Sequence, residues 1–309
     1  VSFVPIALYT HPDMLDHRPG ARHPERPERL GAVLDALADA AGLDLDRREA
    51  PLVDRADLER VHPARFIDAI EVAAPSEGLR RIDEDTAMSP GSLTAARRAA
   101  GAVAAAVRAV AAGEIDRSFC AIRPPGHHAE PGQAMGFCLY SNVAVAARVA
   151  QAEGLNKVAV IDFDVHHGNG TQAVFEDDPT LFFASVHQWP CYPGSGRPNE
   201  RGVGNVRNAV VAPESEPAVW RAAFESLMAP LDDFAPDLIL ISAGFDAHVR
   251  DPLAEQRLEA EDYAWATRAI LSVARSRCGG RVVSSLEGGY DLVGLGQSAL
   301  AHVRALGDV

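Results

Sequence analysis

Residues 157–170 read KVAVIDFDVHHGNG. The first half is short, apolar and uninterrupted, the pattern of a strand buried on both faces. The second half turns abruptly to Asp162, Asp164, His166 and Asn169, closed by Gly168 and Gly170. A buried strand that runs into carboxylates, imidazoles and glycines is how a parallel α/β sheet delivers chemistry, because ligands bind beyond the carboxyl ends of its strands.

The same grammar recurs outward from this stretch. The strand-like run 118–122 leads into RPPGHH at 123–128, and 181–186 leads into His187. The run 237–242 leads into AGFD at 243–246, and 281–286 into EGGY at 287–290. Alanine-rich helical patterns lie between these runs, at 26–41, 92–112, 141–153, 216–234, 260–277 and 295–305. This alternation predicts an α/β fold, a mostly parallel sheet with helices on both faces. Neither an internal repeat nor a low-complexity linker divides residues 1–309, so a single domain is expected. Residues 1–9 form a short apolar run with no basic segment or small-residue cleavage site, which reads as a first strand and not a signal peptide.

Composition narrows the function. The net charge of −14 disfavours direct nucleic-acid binding, which needs a basic face, and suits basic or amine-bearing partners better. No uncharged apolar stretch of about 18 residues appears, so no membrane span is expected. Lys157 is the only lysine, a bacterial-looking composition bias. Cys120, Cys138, Cys191 and Cys278 form no C-x-x-C pair, and free, buried thiols in a reducing cytoplasm are expected. Self-association into a homo-oligomer is left open.

The polar strand ends suggest a metal. Asp162, Asp164 and His166 alternate along one strand end, so period-two geometry turns them to one face. A lone Asp-x-Asp would ordinarily cap a turn, but two carboxylates beside an imidazole are costly without a cation between them. Asp164, His166 and Asp246 are the expected zinc ligands, leaving coordination open for water and substrate. The tandem His127-His128 supplies acid and base, with Asp162 and Asn169 as acceptors that orient them. Tyr290, on a Gly-Gly turn, offers a phenol to a developing oxyanion.

The runs RPPGHH, GFCLYSN, DFDVHHGNGTQ, YPGSG, SAGFDAH and EGGYD resemble the zinc-dependent histone deacetylases and their bacterial relatives, among them deacetylase-like amidohydrolases, acetoin-utilisation proteins and acetylpolyamine amidohydrolases. HPERPERL and HHGNGTQ resemble the class II branch more than class I. The resemblance implies the arginase–deacetylase fold with an eight-stranded parallel sheet. It assigns one catalytic zinc to Asp164, His166 and Asp246, and a structural potassium to Asp162, Asp164, His166, Ser185 and Val186. It makes His127 and His128 the acid/base pair, with Asp162 behind the first and Asn169, an Asp in class I, behind the second. Tyr290 becomes the carbonyl-polarising group. Gly136, Phe137 and Tyr192 become walls of an acyl-lysine tunnel, Asp85 a rim acid, and Arg29 part of a product channel.

The implied reaction is hydrolysis of an N-acyl, chiefly N-acetyl, amide of a peptide or small-molecule acylamine. An acetylpolyamine amidohydrolase is an alternative. One subgroup of polyamine-selecting relatives carries a glutamate just after the Asp-Pro pair, where this chain has Leu253. A two-metal arginase-type hydrolase would need a further acid where His248 stands. A non-catalytic acyl-lysine binder is the remaining alternative; retention of both histidines and Tyr290 weighs against it.

Overall fold

In the computed structural model, residues 5–38, 40 and 42–308 are described. Among these described residues ten strands form: β1 Ile6–Thr10, β2 Leu45–Glu49, β3 Arg80–Arg81, β4 Ala87–Met88, β5 Arg117–Cys120, β6 Val158–Asp162, β7 Leu181–Gln188, β8 Val206–Val211, β9 Leu238–Ala243 and β10 Val282–Leu286. Eight make one sheet in the order β2-β1-β5-β10-β9-β6-β7-β8, and every neighbouring pair in it is parallel. β3 and β4 form a separate antiparallel pair.

The five strands read from the sequence all exist, within two residues of their expected limits. The first strand begins at Ile6; residues 1–4 of that reading lie outside the described residues. The two edge strands did not announce themselves. β2 is LDRRE with no buried residue, and β8 mixes arginine and asparagine with valine. Edge strands are only half covered, and charge on them discourages edge-to-edge pairing, so they lack the continuous apolar signature.

The described residues also form ten α-helices: α1 Glu28–Ala38, α2 Arg55–Leu58, α3 Ala64–Ala73, α4 Ser92–Ala111, α5 Asn142–Ala152, α6 Asn169–Phe175, α7 Pro217–Glu225, α8 Met228–Phe234, α9 Ala260–Cys278 and α10 Leu292–Leu306. α4 and α5 pack on each other, and α10 packs on both α1 and α9. β5 touches both α4 and α10, and β9 touches both α5 and α9, which places the two helix groups on opposite faces. The continuous helix expected over 216–234 is two helices. Pro230 explains the break: it has no N–H to continue an α-helical ladder and is tolerated only within a first turn, where it sits in α8.

For the site, the order of the central strands matters most. β5, β10, β9 and β6 stand side by side. Neighbouring strands lie about 4.8 Å apart, so loops leaving their carboxyl ends are held within roughly 15 Å of one another. Those loops carry His127 and His128, Glu287–Tyr290, Asp246, and Asp164 with His166. Glycine makes the crowding tolerable: a Cβ on Gly288 would lie 2.1 Å from Asp246 Oδ2 and 2.5 Å from Asp164 Oδ2.

Candidate active site

Asp164, His166 and Asp246 converge. They are the one group of three or more His, Cys, Asp or Glu residues, among those described, whose ligand atoms all lie within 4.8 Å of one another. His166 Nδ1 is 3.1 Å from both Asp164 Oδ1 and Asp246 Oδ2. The other oxygens are spoken for. Asp164 Oδ2 accepts the Gly288 N–H at 2.8 Å, and Asp246 Oδ1 accepts the Val165 N–H at 2.8 Å. Each carboxylate is thus oriented by backbone, with one oxygen turned toward the imidazole. Burial works against a charged imidazole, yet the hydrogen bonds to Asp164 and Asp246 raise the His166 pKa well above the ordinary value. The point between the two carboxylates calls for positive charge. Two oxygens and one nitrogen with room for further ligands fit a catalytic Zn2+.

The period-two expectation needs one revision. β6 ends at Asp162, so Asp164 and His166 stand on the turn after the strand. Asp162 is directed elsewhere, to His127: the imidazole Nδ1–H donates to Asp162 Oδ2 at 2.9 Å. Asp162 Oδ1 accepts the Asp164 N–H at 3.1 Å and braces that turn. Ser185 is the register partner of Asp162 on β7, but its Oγ bonds His187 Nδ1 at 2.9 Å; Val186, beside it, is buried.

The tandem imidazoles are close, 4.0 Å between centroids, but electrostatically different. Burial opposes charge on His127, and the Asp162 and Asp164 carboxylates outweigh it, raising its pKa to about 10. For His128, burial and the neighbouring His127 and His166 act together and push the pKa well below the usual value. Its Nδ1–H donates to Asn169 Oδ1 at 2.8 Å, which leaves Nε2 with its lone pair. Asn169 is itself fixed by donation to Glu130 Oε1 at 2.8 Å. Two titratable neighbours driven apart in this way are the arrangement expected of an acid and a base.

A tunnel of about 180 Å3 leads to this cluster, lined by Asp85, His128, Gly136, Phe137, His166, Tyr192, Leu253 and Tyr290. It gathers all five residues expected at the substrate walls and rim. Phe137 and Tyr290 meet edge to face at 5.8 Å, and Tyr192 stands edge-on to His128 at 5.1 Å. Leu253 is 38% exposed at the mouth. Arg29 lies behind Tyr290, fully buried, its guanidinium 4.8 Å from the phenol centroid. It donates to Gly289 O at 2.6 Å, Glu287 O at 2.5 Å and Glu25 Oε1 at 3.1 Å, and so braces the turn that presents the phenol. Cys191, next to Tyr192, is partly exposed; the other three cysteines are buried, and all four are free.

Three supporting residues escaped the sequence reading. Thr86 Oγ1 accepts the Phe137 N–H at 3.0 Å and donates to Asp85 Oδ1 at 2.9 Å, while Asp85 Oδ1 also accepts from Gly136 N at 3.1 Å. This clamp matters because Phe137 has φ of 68°, a left-handed conformation that non-glycine residues adopt at a cost. Asp251 Oδ2 accepts the Tyr290 N–H at 2.7 Å and Oδ1 the Leu253 N–H at 3.0 Å, joining the phenol to the mouth. Glu287 Oε2 accepts from Gly126 N at 2.6 Å and His127 N at 3.1 Å, while Oε1 has no partner. Burial raises the Asp251 and Glu287 pKa values to about 7 each. The signals were present in DEDTAMSP, DPL and EGGY, but nothing in those strings says what each carboxylate or hydroxyl will face.

The sequence profile of the histone deacetylase domain matches residues 23–306. A histone deacetylase-like amidohydrolase of Pseudomonas aeruginosa is 38% identical, over 94% of this chain and 77% of its own length. A probable deacetylase of Archaeoglobus fulgidus is 35% identical, over 92% of this chain and 81% of its own. The solved HD domain of HDA15 superposes with a TM-score of 0.90 at 36% identity, covering 97% of this chain and 90% of that one. The chain belongs to the histone deacetylase family.

Proposed function

We propose that this member of the histone deacetylase family is a zinc-dependent amidohydrolase, acting as one catalytic unit, that removes acetyl groups from acetyl-lysine-type or similar small N-acylamines. One observation carries the reading: a narrow tunnel with aromatic walls ends on Asp164, His166 and Asp246 with His128 and Tyr290 beside them. Zn2+ held by those three ligands would supply Lewis acidity toward the amide carbonyl and toward water.

The remaining work falls to the protein. Phe137 and Tyr192 enclose the aliphatic stem and exclude water. The Tyr290 phenol donates to the carbonyl oxygen as negative charge builds on it. Its own pKa is raised well above the usual value by burial, so it keeps the proton it must share. His128, with Nδ1–H held by Asn169, takes a proton from the attacking water at Nε2. His127, with Nδ1–H held by Asp162, stays protonated and gives its Nε2 proton to the leaving amine, which is otherwise too basic to depart. Amine and carboxylate result. A potassium ion near Asp162, Ser185 and Val186 would stabilise the same turn, and the free thiols suit a reducing cytoplasm.

The test is a side-by-side assay of acetyl-lysine peptides, acetylpolyamines and generic acylamides, with metal analysis of the same preparation. One zinc per chain and faster turnover of acetyl-lysine substrates are expected. Faster turnover of acetylspermidine, falling steeply with salt, would replace this reading with the polyamine one. Two metals per chain would replace it with the arginase-type one.

A further inference from the structure

The tunnel takes only a side chain, and the surface beside it is shaped to take more. A groove of about 400 Å3 shares Asp85 and Phe137 with the tunnel mouth and runs past His23, Pro24 and Leu79. Leu79 is 54% exposed and also lines a second depression, of about 470 Å3, whose walls include Arg18, Arg26 and Glu28. Shared residues thus make tunnel, groove and depression one path.

Charge changes along that path. Near the mouth, Glu84 and Asp85 stand in the groove wall, and Arg81 is engaged by the carbonyls of Asp83 and Glu84. In the far depression, the exposed guanidinium groups of Arg18 and Arg26 make no hydrogen bond or ion pair with any described residue. Elsewhere on the surface, arginines such as Arg55, Arg98 and Arg108 are paired with carboxylates. Glu28 offsets one of the two charges. Other exposed arginines, among them Arg22, Arg47, Arg65 and Arg80, likewise have no partner among the described residues; what sets Arg18 and Arg26 apart is that both line one depression beside the groove from the active site. Guanidinium presents its donors in the planar fork that a carboxylate matches.

Resting on the acyl-lysine reading above, we propose that this path holds the chain flanking an acyl-lysine and selects a peptide with an acidic residue on that side. Proline, leucine and histidine side chains in the groove hold the intervening residues, and Arg18 with Arg26 receives the carboxylate.

The experiment uses the zinc-loaded protein and acetyl-lysine peptides on a neutral background. A single Glu, or a single Lys, is walked through the five positions on either side. On one side, Glu should raise kcat/KM about 2–5-fold over Ala, the range expected for an exposed charge pair, and Lys should lower it. The Arg18→Glu/Arg26→Glu double variant should invert that order, preferring Lys, a result that only an active and folded variant can give. Equal rates for Glu, Ala and Lys peptides, or a Glu preference that survives the double variant, would overturn the proposal. A capped acetyl-lysine amide, too short to leave the tunnel mouth, separates the two readings. If wild-type protein does not cleave it, the acyl-lysine reading fails; peptide binding by fluorescence anisotropy, Glu against Lys, then decides the groove alone.

Discussion

The four central strands have two ends, and the two ends handle charge in opposite ways. At the amino ends of β6, β9 and β10 stand Lys157, Asp237 and Arg281. Asp237 Oδ2 accepts the Lys157 N–H at 2.9 Å, and Arg281 donates to Asp237 O at 2.9 Å. Arg117, opening β5, donates to Leu306 O at 2.6 Å and Asp308 O at 2.5 Å. Every one of these groups is settled by a local partner. At the carboxyl ends, Asp162, Asp164, Asp246, Asp251 and Glu287 are all buried, with imidazoles rather than arginines facing most of them. Such a cluster has only partial internal compensation, and buried carboxylates of that kind persist where a cation or a reaction uses them. The difference separates groups that close the fold from groups held ready for chemistry.

The contrast is broken most forcefully by removing one carboxylate at each end. Asp246→Ala should lose bound zinc and turnover together, because one hard ligand leaves a three-ligand site. Asp237→Ala should keep both and lose only about 1 kcal/mol of stability, the usual worth of one hydrogen bond. Metal analysis, steady-state kinetics and urea unfolding on both variants check this; retained zinc in the Asp246 variant would sink the ligand assignment.

Tyr290→Phe sharpens the comparison by leaving every ligand in place. Zinc content should be unchanged while kcat falls about 10²–10³-fold, the cost of one oxyanion donor. A near-wild-type rate would remove Tyr290 from the role proposed for it.

Glu287 tests whether the crowded end carries an electrostatic cost. Burial raises its pKa from 4.5 to about 7. Between those values the folded state holds a proton that the unfolded state has lost, so its contribution to stability is full below about pH 4.5 and is lost as pH rises to about 7. Glu287→Gln cannot ionise. Relative to wild type it should gain stability over that window, by about 3 kcal/mol at most. Unfolding free energies of the two proteins at pH 5 and pH 8 give the difference; parallel pH profiles would contradict a raised Glu287 pKa.

Thr86→Val is the smallest perturbation. It keeps the shape but leaves the Phe137 N–H without its acceptor at a strained residue. KM should rise about 3–10-fold with kcat nearly unchanged, about 1 kcal/mol. Thr86→Ser, which restores the hydroxyl, should recover most of the loss. An unchanged KM for the valine variant would show that the tunnel wall holds its form without the clamp.

The sequence was informative in proportion to how local each feature is. The Asp164–His166–Asp246 cluster, the tandem histidines and the Gly-Gly-Tyr turn sit directly after apolar strands, so strand grammar alone brought them to one rim. The family motifs carried the tunnel walls Gly136, Phe137 and Tyr192, and those walls do line one tunnel. Elements with weaker burial were harder to read. The polar edge strand β2 carries no apolar run, and Pro230 divides a stretch whose helical pattern looked continuous.

What the residues alone determined was therefore the fold class, the donor set and the side of the sheet on which it gathers. These follow from periodicity and from chemistry written within a few residues of each strand end. Only the tertiary structure decided which acceptor each donor found. Beyond the expected Asp162–His127 and Asn169–His128 pairs, Arg29 took its place behind the phenol, and Thr86, Asp251 and Glu287 reached across 39 to 161 residues of chain to brace the site. Side-chain hydrogen bonds depend on angstrom-scale approach between segments remote in sequence, and local pattern holds no record of those distances.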